Sequence, residues 1–136
     1  MAAGGLEEEF GLNLYNAIDE RSAAFLALGI ATGSGKAAIV ITTSGTAVAN
    51  LLPAAVEADR SCQSIIFVTA DRPYRLKGCG ANQTVNQEEF LRPVCRDIFQ
   101  GPSEGIHALS IDEVMSLGGE VWDKTNSSPG PVHFNI

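Results

Sequence analysis

Two acids in the segment NAIDERSAAFLALG, Asp19 and Glu20, stand where one apolar stretch ends and a periodic one begins. A carboxylate at such a junction stabilises a helix, either as its N-cap or through the helix dipole. A carboxyl group held in an apolar cleft can instead share a proton with a bound ligand. The pair therefore leaves two uses open, helix capping and chemistry, and residue type alone does not divide them between the two acids.

Two more polar motifs follow apolar runs, TSGT at 43–46 and ADRP at 70–73, and GCGANQ at 78–83 lies shortly beyond the second. In open α/β sheets, ligands bind beyond the carboxyl ends of the strands. We therefore expect DER, TSGT and ADRP to converge on one edge of a sheet. An Asp-Arg pair at a strand end, opposite a glycine-rich segment, favours a binding site over a solvated loop face.

The elements that would position these motifs follow from the periodicity of apolar residues. Strands are predicted at 12–18, 37–43, 64–71 and 130–136, and helices at 22–31, 46–58 and 110–125. The continuous apolar runs at 37–43 and 64–71 predict strands buried on both faces. Pro53 is expected to kink or break the second helix, and 76–89 to form a polar loop. Alternating strands and helices predict an α/β fold, a parallel sheet with helices on both faces.

Composition excludes several classes of protein. The chain has 136 residues, the length of one domain, with 45% apolar and 18% charged residues and a net charge of −7. An acidic chain without a run of Lys and Arg lacks the basic patch of a nucleic-acid-binding protein. No apolar stretch reaches the ~18 residues of a membrane span, and the N-terminus does not read as a secretory signal.

The remaining motifs do not predict a metal or nucleotide site. Three cysteines without a C-x-x-C pair fit reduced thiols in an intracellular protein, and the two histidines have no partners at metal-ligand spacing, so each is expected to be structural. ATGSGKAA is not a P-loop, because Ile30 replaces its first glycine and Ala37 replaces its Ser or Thr. GCGANQ ends in Gln83 where a dinucleotide fingerprint has glycine.

The blocks DERSAAFLALG, TTSGTAVANLLPAAVEA, TADRP and GANQTVNQ, in this order, resemble the pyrimidine-binding domain of thiamine diphosphate enzymes. Within that group they are most similar to the 2-succinyl-5-enolpyruvyl-6-hydroxy-3-cyclohexene-1-carboxylate synthase family of menaquinone and phylloquinone biosynthesis. GPVHFNI resembles the strand that closes the domain, so the resemblance covers about 18–136. It implies a partial α/β pyrimidine-binding domain at 12–136 that lacks its first βα unit. Residues 1–11 would be a disordered or non-native start.

The resemblance also assigns the acids. Glu20 matches the glutamate that hydrogen-bonds N1′ of the cofactor's pyrimidine ring, which makes it a catalytic and a cofactor-binding residue, and Asp19 is left to cap the helix. Ser44 and Thr46 match positions beside the same ring. Capping of the next helix is the structural alternative for both of them, and Arg21 is open between a substrate contact and an exposed ion pair.

Three further residues match positions near the substrate in this family: Arg72, Asn82 and Gln83. Each substrate of the family is a carboxylate, which suits a guanidinium. A structural pair with Asp71 or Glu20 remains the alternative for Arg72, and an Asx turn remains the alternative for Asn82.

The implied activity is that of a thiamine diphosphate-dependent, C–C bond-forming transferase. It decarboxylates 2-oxoglutarate and adds the resulting succinyl carbanion to isochorismate. Mg²⁺ and the diphosphate would bind through a domain absent from this chain, so the chain alone would be inactive. The implied partner is that domain, in a homo-oligomer located in the bacterial cytoplasm or a plastid. The alternatives are a noncatalytic binding or oligomerisation module and a fragment of another thiamine diphosphate enzyme.

Overall fold

The computed structural model describes residues 11–136, which contain a four-stranded parallel sheet with helices on both faces. In chain order the elements are α1 (Glu20–Ser34), β1 (Ala38–Thr42), α2 (Thr46–Arg60), β2 (Ile65–Thr69), α3 (Glu88–Leu91), β3 (Ile98–Gln100), α4 (Ile111–Ser127) and β4 (Pro131–Asn135). The strand order is β1-β2-β4-β3. This architecture confirms the predicted fold class.

One core lies on each face of the sheet. On the first face, α1, α2 and α3 pack over β1 and β2 around Leu51, Phe67 and Leu91. On the second, α4 packs over β2 and β4, where Val121 meets Ile66. Because α2 leaves the sheet after β1, its N-terminus lies at the carboxyl edge of the strands. Helix α1 leads into β1 from the opposite direction, so its N-terminus lies at that same edge.

The helix ends follow the residues that the sequence offers. Helix α1 begins after Asp19 and ends at Gly35, whose φ of 66° places it in the left-handed region expected of a C-terminal glycine. Helix α4 begins after Ser110 with a capping box to Glu113. Helix α2 continues through Pro53 to Arg60, so the predicted break is wrong, and a kink at Pro53 stays a prediction. The proline removes a single donor from the helix, and the buried alanine and leucine face of α2 holds the two halves together.

The predicted strand at 12–18 is wrong, because this segment has no regular structure. Leu12, Tyr15 and Ile18 are exposed. The apolar residues of the segment do not alternate with polar ones, so a strand here would not bury one face and expose the other. The expectation for residues 1–11 falls outside the described residues except for Gly11.

Burial on both faces holds for β2 but not for β1. In β2, Val68 is partly exposed and the other four residues are buried, whereas Ile39 and Ile41 of β1 are 52% and 74% exposed. Strand β1 lies at the edge of the described sheet, and α4 covers β2 and β4 instead. The sequence also gave no indication of the three-residue β3, of α3, or of the 3₁₀ turns at Tyr74–Leu76 and Ile106–Ala108.

Candidate functional site

The turn between β1 and α2 is built on Gly45. Its φ of 81° is a left-handed value that glycine adopts without strain. A Cβ at this position would lie 3.1 Å from the Cα of Gln83, so the TSGT turn packs directly against the GANQ loop. Two motifs that are separated in the sequence therefore meet at the carboxyl edge of the sheet, as predicted.

The two acids of the DER motif have separate roles. The Oδ1 of Asp19 accepts from the backbone N–H of Ser22 at 2.8 Å and from its hydroxyl at 2.9 Å. These hydrogen bonds lower the pKa of Asp19 and confirm it as the N-cap of α1. Glu20 is the first residue of α1 and is partly buried, and its Oε2 accepts from Asn50 Nδ2 at 3.3 Å. Glu20 is therefore turned towards α2, while Arg21 is exposed.

Asn50 was not predicted. It follows Thr46 by four residues in α2 and so lies on the same side of that helix, one turn further from its N-terminus. The spacing of these two polar residues in a predicted amphipathic helix was the available signal. The Glu20–Asn50 hydrogen bond links the start of α1 to the start of α2, which are 30 residues apart in the chain.

Ser44 and Thr46 do not cap α2. The N-cap position is Gly45, and no side chain makes a capping hydrogen bond there, so the structural alternative for both residues is wrong. Ser44 is 2% exposed, and its hydroxyl has no hydrogen-bond partner among residues 11–136. A buried hydroxyl without a partner is destabilising, and a functional role is one explanation for such a group in a native protein. Thr46 is exposed in the first turn of α2, where backbone N–H groups lack helical partners.

Arg72 and Gln83 contact each other. Arg72 Nη2 donates to Gln83 Oε1 at 2.8 Å, and the Nε of Arg72 is buried without a partner in the described part of the chain. Gln83 has a φ of 55°, an uncommon left-handed value for a side-chain-bearing residue. The left-handed backbone of Gln83 and its contact with Gly45 place the Arg72–Gln83 pair at the same edge of the sheet.

The predicted alternative partners of Arg72 are engaged elsewhere. Asp71 forms its ion pair with Lys77 at 2.7 Å, and from Arg72 it accepts a hydrogen bond of the backbone N–H rather than of the guanidinium. Glu20 accepts from Asn50 instead. Burial raises the pKa of Asp71, but hydrogen bonds from Lys77 and Asn135 outweigh burial and hold the pKa below its ordinary value. The guanidinium of Arg72 is thus oriented by Gln83 rather than by a carboxylate.

Asn82 lies in an exposed turn at 81–84. The turn is closed by the Thr84 N–H, which donates to the carbonyl of Ala81 at 3.3 Å, and the Thr84 hydroxyl is 3.4 Å from the carbonyl of Asn82. These contacts use the backbone of Asn82 rather than its side chain, so they do not form an Asx turn. The structure does not join the Asn82 side chain to the other predicted site residues.

A buried polar network beneath the site was not predicted. The Thr69 hydroxyl donates to Asn135 Oδ1 at 2.8 Å, and His133 Nε2 lies 2.7 Å from the same hydroxyl. Since the single proton of Thr69 is used on Asn135, His133 must donate from Nε2, which leaves Nδ1 as its unprotonated nitrogen. Burial lowers the pKa of His133 to about 4. Polar residues in an otherwise apolar strand were the only signal, and their partners lie in other elements.

An open groove of ≈ 630 Å³ adjoins Arg72 on the side of β4. It lies between the 71–77 segment and the 100–107 segment, and its lining includes Arg72, Tyr74, Lys77, Ser103 and His107. Glu20, Ser44 and Thr46 are outside it. Arg72 therefore borders the groove, whereas Glu20 is not part of its lining.

Residues 11–136 bring together no group of three His, Cys, Asp or Glu side chains that could hold a metal ion. Cys62, Cys79 and Cys95 are free thiols, and burial raises the pKa of Cys95 to about 12. None of the helices in the described part of the chain has the length and apolar character needed to cross a membrane.

Comparison with known proteins defines the class to which this site belongs. The family described as thiamine pyrophosphate enzyme, N-terminal TPP binding domain, matches residues 3–90, a range that contains every predicted site residue. The chain therefore belongs to the thiamine pyrophosphate enzyme family.

Curated proteins that are similar to this chain include several synthases of one name within that family. The chain is 66% and 62% identical over 136 residues to 2-succinyl-5-enolpyruvyl-6-hydroxy-3-cyclohexene-1-carboxylate synthases of two Prochlorococcus marinus strains. It is 61% identical over the same length to the synthase of that name from a Synechococcus strain. All of this chain is covered, but only 23–24% of each relative, so the chain spans about a quarter of the length of these enzymes.

Proposed function

We propose that this chain forms the pyrimidine-binding part of a thiamine diphosphate-dependent transferase. The enzyme would decarboxylate 2-oxoglutarate and join the remaining four-carbon unit to isochorismate, as the synthase resemblance implies. Identity of 66% to one synthase over the whole chain supports this substrate assignment, and the family match to residues 3–90 supports the cofactor.

The observation that carries the proposal is the Glu20–Asn50 hydrogen bond. It holds a partly buried carboxyl group beside the N-terminal half of α2, close to the turn that contains Ser44 and Gly45. A carboxyl in this position can hydrogen-bond a ring nitrogen of a ligand that lies over the turn, and can exchange a proton with it. Glu20 would hold the proton at N1′ of the pyrimidine ring.

The residues around Glu20 fit a pyrimidine ring. The Ser44 hydroxyl is buried without a partner, so a ring with polar edge atoms would satisfy it. At the start of α2, N–H groups lack helical partners up to that of Val48, which donates to the Gly45 carbonyl at 3.1 Å, and the left-handed Gly45 leaves no side chain between these groups and a ligand. When bound, thiamine diphosphate supplies the chemistry that stabilises a carbanion at the former carbonyl carbon of a 2-oxo acid.

Substrate recognition is assigned to Arg72 and Gln83. Both substrates are carboxylates, and Arg72 keeps donors free for a second contact while Gln83 fixes its plane through Nη2. Asn82 remains a proposed substrate contact from the neighbouring turn. The groove next to Arg72 offers space for the part of a substrate that extends away from Glu20.

The site in this chain is one half of a larger site in the proposed enzyme. Mg²⁺ and the diphosphate would be held by another domain, from the same chain or from a second copy in a homo-oligomer. The exposure of Thr46 and Gln83 beside the partly buried Glu20 agrees with a surface that a second domain covers. Free thiols support a location inside the cell.

A noncatalytic binding or oligomerisation module is the second candidate. The exposed Ile39 and Ile41 on β1 favour it, because an apolar sheet face at an open edge promotes association. This candidate predicts association without affinity for thiamine diphosphate. A fragment of a different thiamine diphosphate enzyme predicts cofactor binding without turnover of isochorismate.

The test uses a chimeric synthase, in which residues 1–136 of this chain replace the aligned segment of the 66%-identical Prochlorococcus enzyme. With thiamine diphosphate, Mg²⁺ and 2-oxoglutarate present, release of carbon dioxide and loss of isochorismate are followed together. Glu20→Gln should reduce kcat by at least about 100-fold, the usual contribution of acid–base catalysis. Folding should change little, because Asp19 retains the helix cap.

Glu57→Gln is the matched control, because Glu57 is an exposed glutamate of α2. It should leave kcat unchanged. Turnover close to that of the unsubstituted chimera in the Glu20→Gln variant would exclude Glu20 as the N1′ partner. A chimera that folds and binds no thiamine diphosphate would favour the noncatalytic module.

A further inference from the structure

Gln87 is a fully buried amide at the centre of the carboxyl edge of the sheet. Its Oε1 accepts from the backbone N–H of Gly45 at 3.0 Å. Its Nε2 donates to the carbonyl of Ala70 at 3.1 Å and to Asn135 Oδ1 at 2.7 Å. One side chain thus ties the turn after β1 to the ends of β2 and β4.

The orientation of this amide is fixed by its backbone partners. A backbone N–H can only donate and a carbonyl can only accept, so the Gln87 oxygen must face Gly45 and its nitrogen must face Ala70. Asn135 is fixed in turn, because its nitrogen donates to Asp71 at 2.8 Å and to Gln100 at 3.1 Å. Every polar atom of the Gln87 amide is satisfied, which makes the anchor rigid.

The Gln87 anchor controls the spacing between the two halves of the proposed site. On one side, Gly45 is flanked by Ser44 and by the N-terminus of α2, whose second turn carries the Glu20 partner Asn50. On the other side, Gly45 lies against Gln83, the partner of Arg72. Movement of the Gly45 turn would therefore displace the pyrimidine-facing and substrate-facing residues relative to each other.

We propose that Gln87 is a positioning residue: its buried amide holds the glycine turn so that the Glu20–Ser44 side and the Arg72–Gln83 side face one ligand at a fixed separation. This inference rests on the proposed function, since it takes the ligand to be thiamine diphosphate with its bound substrate. Gln87 itself touches neither, because its amide is fully used on protein atoms.

The experiment compares three variants of the chimeric synthase. Gln87→Met keeps the length of the side chain and removes all its hydrogen bonds, and Gln87→Glu keeps the acceptor for Gly45. Gln63→Met is the matched control, because among residues 11–136 the Gln63 side chain donates only to the nearby Ser61 carbonyl, before β2 and at the opposite edge of the sheet. The measurements are the Kd for thiamine diphosphate by calorimetry, kcat and KM, the thermal midpoint without cofactor, and hydrogen exchange of residues 43–48.

Gln87→Met should raise the Kd for thiamine diphosphate and lower kcat/KM by about tenfold, the loss expected for one or two buried hydrogen bonds. Hydrogen exchange at residues 43–48 should also become faster in Gln87→Met. In Gln63→Met, the Kd and kcat/KM should stay within about twofold of the values for the unsubstituted chimera. Gln87→Glu should recover affinity as the pH falls from 8 to 6, because a protonated carboxyl again donates to Ala70 or Asn135. Gln87→Met has no titrating group and should show no such recovery.

Two results would overturn the proposal. The first is a lower thermal midpoint in both Gln87 variants with Kd and kcat/KM unchanged, which is the behaviour of a purely structural residue. The second is unchanged exchange at 43–48 in Gln87→Met, which would show that the turn is held without it. The exchange result does not depend on the identity of the cofactor or substrate, so a chimera without turnover tests the proposed function separately from Gln87.

Discussion

The guanidinium of Arg72 is held at one nitrogen and is without a described partner at another. Gln83 accepts from Nη2, while the buried Nε has no partner among residues 11–136. An incoming carboxylate can complete this arrangement through two parallel N–H···O bonds. Lysine supplies a similar charge from a single point and cannot reproduce the planar fork.

Arg72→Lys in the chimeric synthase should therefore raise KM for a carboxylate substrate by about 10- to 100-fold, the range expected when a charged hydrogen bond is lost. Steady-state kinetics with 2-oxoglutarate and isochorismate varied in turn would identify the substrate that Arg72 contacts. Arg92→Lys is the control, because Arg92 forms an exposed ion pair with Glu89 within one helical turn. Equal KM values for the Arg72→Lys and Arg92→Lys variants would remove Arg72 from the substrate site.

The N-cap role of Asp19 could be predicted, whereas the partners of Glu20 and of the Gly45 turn could not. An N-cap bond spans three residues, so the sequence contains both of its ends. Asn50 and Gln87 act across 30 and 42 residues, and their roles depend on how helices settle on the sheet. Among the site residues carried over from the family resemblance, a described hydrogen bond joins Arg72 to Gln83, and none joins the Asn82 side chain to them.

At the scale of elements, α4 shows a helix whose start is specified locally. The Ser110 hydroxyl accepts from the N–H of Glu113 at 3.3 Å, and the Glu113 carboxylate accepts from the N–H of Ser110 at 2.8 Å. Ser110→Ala removes the serine half of this box and should lower the free energy of unfolding by about 1 kcal/mol. Chemical denaturation of the chain, followed by circular dichroism, measures the change.

Ser116→Ala provides the control for this measurement. Ser116 is exposed in the middle of the same helix, where alanine has the better helix propensity. The control should therefore be neutral or slightly stabilising, opposite in sign to Ser110→Ala. If both variants lost the same stability, the capping box would not be the cause.

Apolar periodicity predicted which residues form α2, α4, β2 and β4, but not which faces of the sheet the helices cover. The β1 run is as apolar as the β2 run, yet Ile39 and Ile41 are exposed because α4 lies over the neighbouring strands. A pattern indicates which faces can be buried, and burial also requires a covering element.

For the molecule as a whole, acid stability is expected to depend on His133. The imidazole is buried in β4 and donates to Thr69, while Nδ1 has no partner among the described residues that could accept a second proton. Burial lowers its pKa from 6.5 to about 4. The unfolded chain therefore binds a proton below pH 6.5 that the folded chain excludes until about pH 4, so stability is lost as the pH falls through this window.

Through His133 alone, the free energy of unfolding should fall by about 2 kcal/mol between pH 7 and pH 5. Asp71, whose pKa lies below 3.8, adds its own loss only at lower pH. Denaturant titrations at the two pH values measure the difference. In His133→Gln, which keeps a donor for Thr69 and has no titrating group, most of the difference should disappear, although the variant is less stable at pH 7. His107→Gln is the control, because His107 is exposed, and this variant should keep the full difference between the two pH values. An undiminished loss in His133→Gln would assign the acid sensitivity to another group.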